Sequence, residues 1–334
     1  MRVTVPDYYE NFRCLAGKCP HTCCEKWEVV IDEDSAAFYE TVPGLLGEKL
    51  RSALKEDKDG DLCFSLNGGR CPFLNGENLC EIHKTLGEEA TSITCREHPR
   101  FTEDYGPFRE VTLSASCPAA NTLLLGSKAP LTFHTFETEE TEEEGDEWLT
   151  YLLPLRTRLL DILTDRSRPL AARLLSFLSL ALSAQACLDD DRLEDMMHAE
   201  EAALPPAEGL LFPTALDFLA SLEALDADWP ALLKQAVVAE KTPQPEALLE
   251  RIATYFAFRY LLKAVNDGDL LSRAELVVFA VLVVERLAPV CGIPEALRRF
   301  SAEIEHDDDN LDALLDAFRM ETLSLGRLLA ELET

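Results

Sequence analysis

"CLAGKCPHTCC", residues 14–24, places four cysteines within eleven positions, the last two adjacent. Thiols so crowded have few uses: disulfides, a metal centre, a nucleophile, or small apolar fillers of a core. Neighbouring Cα atoms stand about 3.8 Å apart across a trans peptide, whereas a disulfide needs about 4.4–6.8 Å. Cys23 and Cys24 therefore cannot pair with each other without strain. A core role does not suit Cys14, Cys19, Cys23 and Cys24, whose neighbours are Gly17, Lys18, Pro20, His21, Glu25 and Lys26. Nucleophilic chemistry asks for one isolated thiol of low pKa. Metal ligation remains, and soft thiolates select zinc, copper(I) or iron–sulfur clusters.

Working outward, nine of the 11 cysteines fall at or before Cys117. The candidate ligands are Cys14-x4-Cys19-x3-Cys23-Cys24, then Cys71-x8-Cys80, Cys95 and Cys117. Proline follows Cys71 and Cys117, stiffening the chain beside a ligand as in some ferredoxin motifs. Eight thiols match two four-cysteine sites in number. On that count Cys23 and Cys24 serve different centres, or one ligates and the other supports it. The C-x2-C knuckle typical of zinc is missing, and the wide spacings suit a cluster at least as well as zinc. Cys63, Cys187 and Cys291 lie in apolar stretches and read as packing residues.

The 334-residue chain is 47% hydrophobic, enough for sizeable cores, and carries a formal charge of −30. That field repels a phosphate backbone, which excludes nucleic acid as the main partner, and it attracts cationic partners such as a lysine-bearing protein. The start, "MRVTVPDYYENFRC", lacks the pattern of a secretory signal. The longest apolar run, "LVVFAVLVV" (276–284), is far shorter than the ~20 residues that cross a bilayer, and reads as a buried core helix. The expectation is a cytoplasmic protein, not membrane-bound, with reduced thiols.

Composition divides the chain. The expected fold is mainly α: a small, irregular, cysteine-rich metal-binding domain with short strands over 1–136, an acidic linker over 137–147, and an irregular α-helical bundle over 148–334. The linker "ETEETEEEGDE" has eight acids in eleven residues. In the first part, a helix starts near Asp32 and restarts at Pro43, strands fall at 108–116 and near 131–136, and a helix over 117–126 opens on Pro118 and closes on Gly126. In the second, helices are expected at 146–164, 169–187, 190–203, 213–224, 230–240, 245–266, 272–290, 294–306 and 310–333. Many open on proline or a capping side chain.

The stretches "FRCLAGKCPHTCCEKWEVVID" (12–32), "RCPFLNGENLCEIHKTLGEEATSITCREHPR" (70–100) and "LSASCPAANTLLL" (113–125) resemble the FliB-type flagellin lysine-N-methylases. That family belongs to a broader clustered-cysteine group whose signature ends in adjacent cysteines. The resemblance covers about the first 125 residues. It implies methyl transfer from S-adenosylmethionine (SAM) to lysine ε-amines of flagellin, and an iron–sulfur centre, [4Fe–4S] in type. Its ligands, carried over by position, would be Cys14, Cys19, Cys23, Cys24, Cys71, Cys80, Cys95 and Cys117. "CREHPR" matches the family's CR-x-x-PR, with His98 at a position where an aromatic side chain is expected.

The residues read on their own agree on one point. A conventional methyltransferase binds SAM at a Gly-rich turn between strand and helix, and "NGGR" (67–70) lies between cysteines instead. SAM would then bind another way, for instance at an iron with an open position. The C-x4-C-x3-CC spacing departs from the C-x3-C-x2-C of radical-SAM enzymes. Arg96 and Arg100 flank Cys95 and would pair with the SAM carboxylate or the charge of a cluster, or else form salt bridges in an acidic chain. Trp27 would shield a cluster, stack on adenine, or pack in a core. Lysine must lose a proton before it attacks; Glu25, Glu97, Tyr8, Tyr9 and Tyr105 are candidate acceptors. His21 reads as either beside the centre without ligating it or exposed. The remaining histidines have no ligand spacing, and His306 reads as a helix end beside an acidic cap. The acidic bundle would grip a lysine-rich patch of the protein substrate. The rival functions are a non-enzymatic zinc- or iron-chelating protein, and an interaction module whose metal only holds the fold.

Overall fold

The computed structural model describes residues 1–27, 29–57 and 60–333. Its strands are β1 (Arg2–Pro6), β2 (Leu54–Glu56), β3 (Leu62–Phe64), β4 (Arg100–Asp104), β5 (Phe108–Leu113) and β6 (Phe133–Glu137). In β1, Val3 and Val5 point inward on the two-residue period of a strand. β1 lies parallel to β5, with Arg2 opposite Phe108 and Thr4 opposite Glu110. On its other edge β6 runs antiparallel, from Arg2 opposite Glu137 to Pro6 opposite Phe133. β4 pairs antiparallel with β5, giving the order β4-β5-β1-β6, and β2 with β3 makes a separate hairpin. The acidic segment continues from β6: the Met1 ammonium donates to the Thr138 and Glu140 carbonyls, at 3.1 and 2.6 Å. Residues 139–144 are exposed.

The fold is mainly α, with fifteen α-helices among the described residues. Glu33–Thr41 is opened by Asp32, whose carboxylate accepts the Ser35 N–H at 2.9 Å. Pro43 immediately precedes the next helix, Gly44–Ala53. Pro118–Leu125 opens on proline and closes at Gly126, as its sequence indicates. Helix Leu271–Cys291, which contains the longest apolar run, is the axis of the carboxy-terminal part. Helices 170–189, 229–238, 246–260, 293–304, 308–319 and 325–332 pack on it, and residues 272–284 are all buried. Helix Leu170–Asp189 is long and apolar enough to cross a membrane by length and composition, but 61% of that window is buried in the fold.

Two helical expectations are corrected. Over 190–203 only Leu193–Met197 is helical. Arg158 takes the Met197 and Ala199 carbonyls (2.7 and 2.6 Å), and the Ser179 hydroxyl takes that of Ala202, so the backbone is committed to side chains rather than to its own turns. The stretch 310–333 is two helices, Asp308–Arg319 and Leu325–Leu332. The chain turns between them, with Glu321 in the left-handed region (φ 59°), and this buries Leu323, Leu328 and Leu329 together.

The apolar core extends from Tyr8 and Phe12 through β5 and the 118–125 helix to Leu329. A smaller cluster, Ile31, Tyr39, Val42, Leu50, Ala53, Phe64, Phe73, Ile82 and Ala90, underlies the cysteine loops. Sheet and bundle are joined by buried charge. Arg156 donates from both terminal nitrogens to the two Glu110 oxygens, each at 2.6 Å. Arg259 and the hydroxyls of Tyr255 and Tyr260 surround the Glu305 carboxylate. Removing one member of a buried pair leaves the other charge without compensation, at a cost of about 3–5 kcal/mol. Glu110→Ala is therefore expected to lower stability by that order in denaturant titration, whereas the double replacement Glu110→Leu/Arg156→Met recovers most of the loss.

Candidate metal centre

Local pairing brings the cysteines together. β1 leads into two short 3-10 turns, Tyr9–Asn11 and Ala16–Lys18, which fold the 14–24 segment back on itself. Cys14 Sγ accepts the Ala16 N–H at 3.3 Å, and the Cys19 thiol donates to the His21 carbonyl at 3.1 Å. The chain then pairs with the turn at 67–70. Cys71 N–H donates to the Cys24 carbonyl (2.9 Å) and Lys26 N–H to that of Gly69 (2.7 Å). This needs left-handed backbone at Gly68 and Gly69 (φ 59° and 81°), where glycine is at ease. "CPFLNGENLC" closes a tight loop because the Asn75 side-chain oxygen accepts the N–H groups of Glu77 and Leu79, returning Cys80 to Cys71. Cys95 sits on the short helix Ile93–Glu97, capped by Ser92 and tied to Asp32 through the Ile93 N–H. Cys117 caps the 118–125 helix.

Two adjoining hollows result. A small inner recess is lined by Cys24, Cys71, Cys80 and Cys95 with Tyr39, Phe64 and Ile82. A larger cavity of about 620 Å³ is lined by Cys14, Cys19, Cys23 and Cys117, and it also meets Cys24, Cys80 and Cys95. That volume is in the range of small-molecule sites. All eleven cysteines are free thiols. Burial pushes the Cys71 thiol up to about 12. The hydrogen bond between Cys23 and Cys24 raises the first and lowers the second to about 7. Among the described residues, no three His, Cys, Asp or Glu side chains close tightly enough on one point to hold a single ion.

The donor set and its surroundings suit a soft, anionic centre. Five cations, Arg13, Lys26, Arg96, Arg100 and Arg298, line the large cavity against two acids, Glu25 and Glu88, in a chain whose net charge is −30. The wholly buried Tyr39 hydroxyl, on the wall of the inner recess, has no hydrogen-bond partner among the described residues.

The other expected site residues are placed as follows. Arg96 donates to the Glu89 and Thr91 carbonyls (3.0 and 2.5 Å). Arg100 donates to the Tyr9 hydroxyl (3.1 Å) and lies over the Tyr9 and Phe12 rings. The Trp27 indole N–H bonds the Cys23 carbonyl, and its ring stands edge-on to His98 (5.3 Å) and His306 (4.6 Å). Of the candidate proton acceptors only Glu25 lines the cavity, and it is paired with Arg70. His21 is exposed, 3.8 Å from Glu295.

Spacing alone does not reveal His98 and His306, far apart in the chain, as wall residues of the same cavity. His306 Nε2 is 2.8 Å from both Ser114 Oγ and Ser116 Oγ. Burial holds both imidazoles neutral, lowering His98 to about 4 and His306 to about 3.

No family model and no solved structure matches this chain. Over 129 residues, 37% of its length, it is 29% identical to lysine-N-methylases of Salmonella choleraesuis and Salmonella typhimurium, covering 32% of each. It is 28% identical over 129 residues to the flagellar biosynthetic protein FliU of Salmonella muenchen, covering 76% of that protein. The match thus spans about a third of the length of the two methylases.

A pKa lowered on folding gives stability that is complete above the unfolded value, ~6.5, and is lost as pH falls toward the folded one. His306→Gln can still bond both serines but does not titrate. Between pH 7 and 5 it is expected to lose about 2 kcal/mol less stability than the parent, measured by urea unfolding at each pH.

Proposed function

We propose that this chain transfers methyl groups from SAM to lysine side chains of flagellin, with an iron–sulfur centre held by its clustered cysteines. The convergence of eight thiols, drawn from positions 14 to 117, on a cation-lined cavity of small-molecule size and the recess that adjoins it supports this reading. The names of the partial relatives support the choice of substrate: two are lysine-N-methylases and one is a flagellar biosynthetic protein. The spread of the thiols supports a cluster over a lone zinc ion, which gathers its donors within about 2.3 Å of one point. When bound, such a cluster would supply an iron at which the amino and carboxylate groups of SAM chelate.

The chain's own residues do the rest. Arg13 and Arg100 give the cavity the charge to hold a carboxylate, whereas Arg298 is paired with Glu295. Trp27 offers a ring for the adenine beside the cysteine loop. Neutral His98 and His306 line the wall without adding positive charge that would repel a sulfonium or an approaching ammonium.

The test is purification without oxygen, analysis for iron, zinc and sulfide, then incubation with SAM and flagellin under reducing conditions. Brown protein and methylated lysines, found by mass spectrometry, are expected. Metal-loaded protein that binds no SAM and methylates nothing would leave the chelating role, and colourless zinc protein a structural one. Trp27→Ala is expected to weaken SAM binding roughly tenfold in calorimetric titration, the magnitude of a lost aromatic stack.

A further inference from the structure

The two hollows differ in kind. Cys14, Cys19, Cys23 and Cys117 face only the large cavity, with the arginines and Trp27. Cys71 faces only the inner recess, whose wall includes the buried side chains of Tyr39, Phe64, Ile82, Thr91 and Ser92. Cys24, Cys80 and Cys95 stand at the junction. A backbone hydrogen bond fixes Cys24 beside Cys71.

The Tyr39 hydroxyl is the second observation. A buried hydroxyl without a partner is costly, and Tyr39 is 0% exposed. Its ring is held by Phe64, at 5.8 Å between centroids, and it lines the inner recess together with Cys80 and Cys95. It can donate one hydrogen bond, and a thiolate or sulfide acceptor would satisfy it.

We infer that Cys24, Cys71, Cys80 and Cys95 ligate a separate inner iron–sulfur centre whose sulfur accepts a hydrogen bond from the Tyr39 hydroxyl, while the remaining four cysteines serve the centre open to substrate. This rests on the cluster reading above. Hydrogen bonds to sulfur stabilise the more negative, reduced state and so raise a cluster's potential. Tyr39 is a positioning and tuning residue of the inner centre and does not touch the substrate.

The test reconstitutes the full chain anaerobically with ferrous iron and sulfide. Cys71→Ser and Cys117→Ser are each expected to keep about half of the parent's iron, with unchanged far-ultraviolet circular dichroism. Tyr39→Phe should keep all the iron but lower one of two reduction potentials. It should also remove an exchangeable proton coupled to the reduced centre in electron–nuclear double resonance. Should a cysteine variant unfold, the Tyr39→Phe potential and proton coupling decide alone. The inference is overturned if each folded cysteine variant loses all its iron, if the parent has one potential only, or if Tyr39→Phe leaves potentials and coupling unchanged. A parent that takes up no cluster at all removes instead the reading on which the inference rests.

Discussion

The parallel pairing of β1 with β5 is the contact on which the site depends. β1 begins at the second residue, yet it occupies an interior position in the sheet, with ladders on both edges. Because it runs the same way as β5, both strands end on the same side. The loop leaving β1 carries Cys14 to Cys24, and the turn leaving β5 carries Cys117. Closing about a hundred residues between them costs only logarithmically more than closing a short loop, and two backbone ladders offset it. The far end of the loop leaving β1 is held separately, by the Cys24 carbonyl and the Lys26 N–H against residues 69–71.

Charge forms a second constraint. The surface of the chain is acidic, yet at the junction of sheet and bundle the acids are individually neutralised. Glu110 has Arg156, and Glu305 has Arg259 with two tyrosines. Arg259 also stacks on Phe101, 3.3 Å from its centroid, and Phe101 in turn packs on His306. The cavity wall thus rests on a network in which each buried charge has a partner, and the imidazoles next to it stay neutral. Beyond that network the wall is cationic. Lys26 and Arg298 are matched there by Asp226 and Glu295, so the positive charge facing the thiols comes from Arg13, Arg96 and Arg100.

Much of this is legible locally. The Pro118 and Gly126 boundaries of one helix, the Asp32 cap of another and the turn at "NGGR" depend on residues next to each other in the chain. The grouping of the eight cysteines is legible because thiols amid Gly, Pro and Lys have few roles to fill. Helix limits at 190–203 and 310–333 are not, because distant groups, Arg158 and the packing of Leu323, decide them. Nor are the pairing of His306 with Ser114 and Ser116 and the partnerless Tyr39 hydroxyl. His306 carries a helix-end signal that is correct, since Asp307 does cap Asn310, and that local role conceals a second one made by contacts some 190 residues away.

The adjacent pair Cys23–Cys24 has its physical explanation in this geometry. One backbone segment, pinned to residues 69–71 by the Cys24 carbonyl and the Lys26 N–H, passes along the partition between the two hollows. Lys26 adopts the left-handed region (φ 79°) that a side chain seldom takes, and its ammonium reaches Asp226 of the carboxy-terminal part at 2.7 Å. The segment is thus fixed from one side by the cysteine loops and from the other by the bundle. Adjacent residues on such a segment can offer a thiol to each hollow without any further chain, as the lining shows: Cys23 meets only the larger one, Cys24 meets both. A single mononuclear site would have no use for neighbouring donors so placed, whereas the two centres we propose would share that wall.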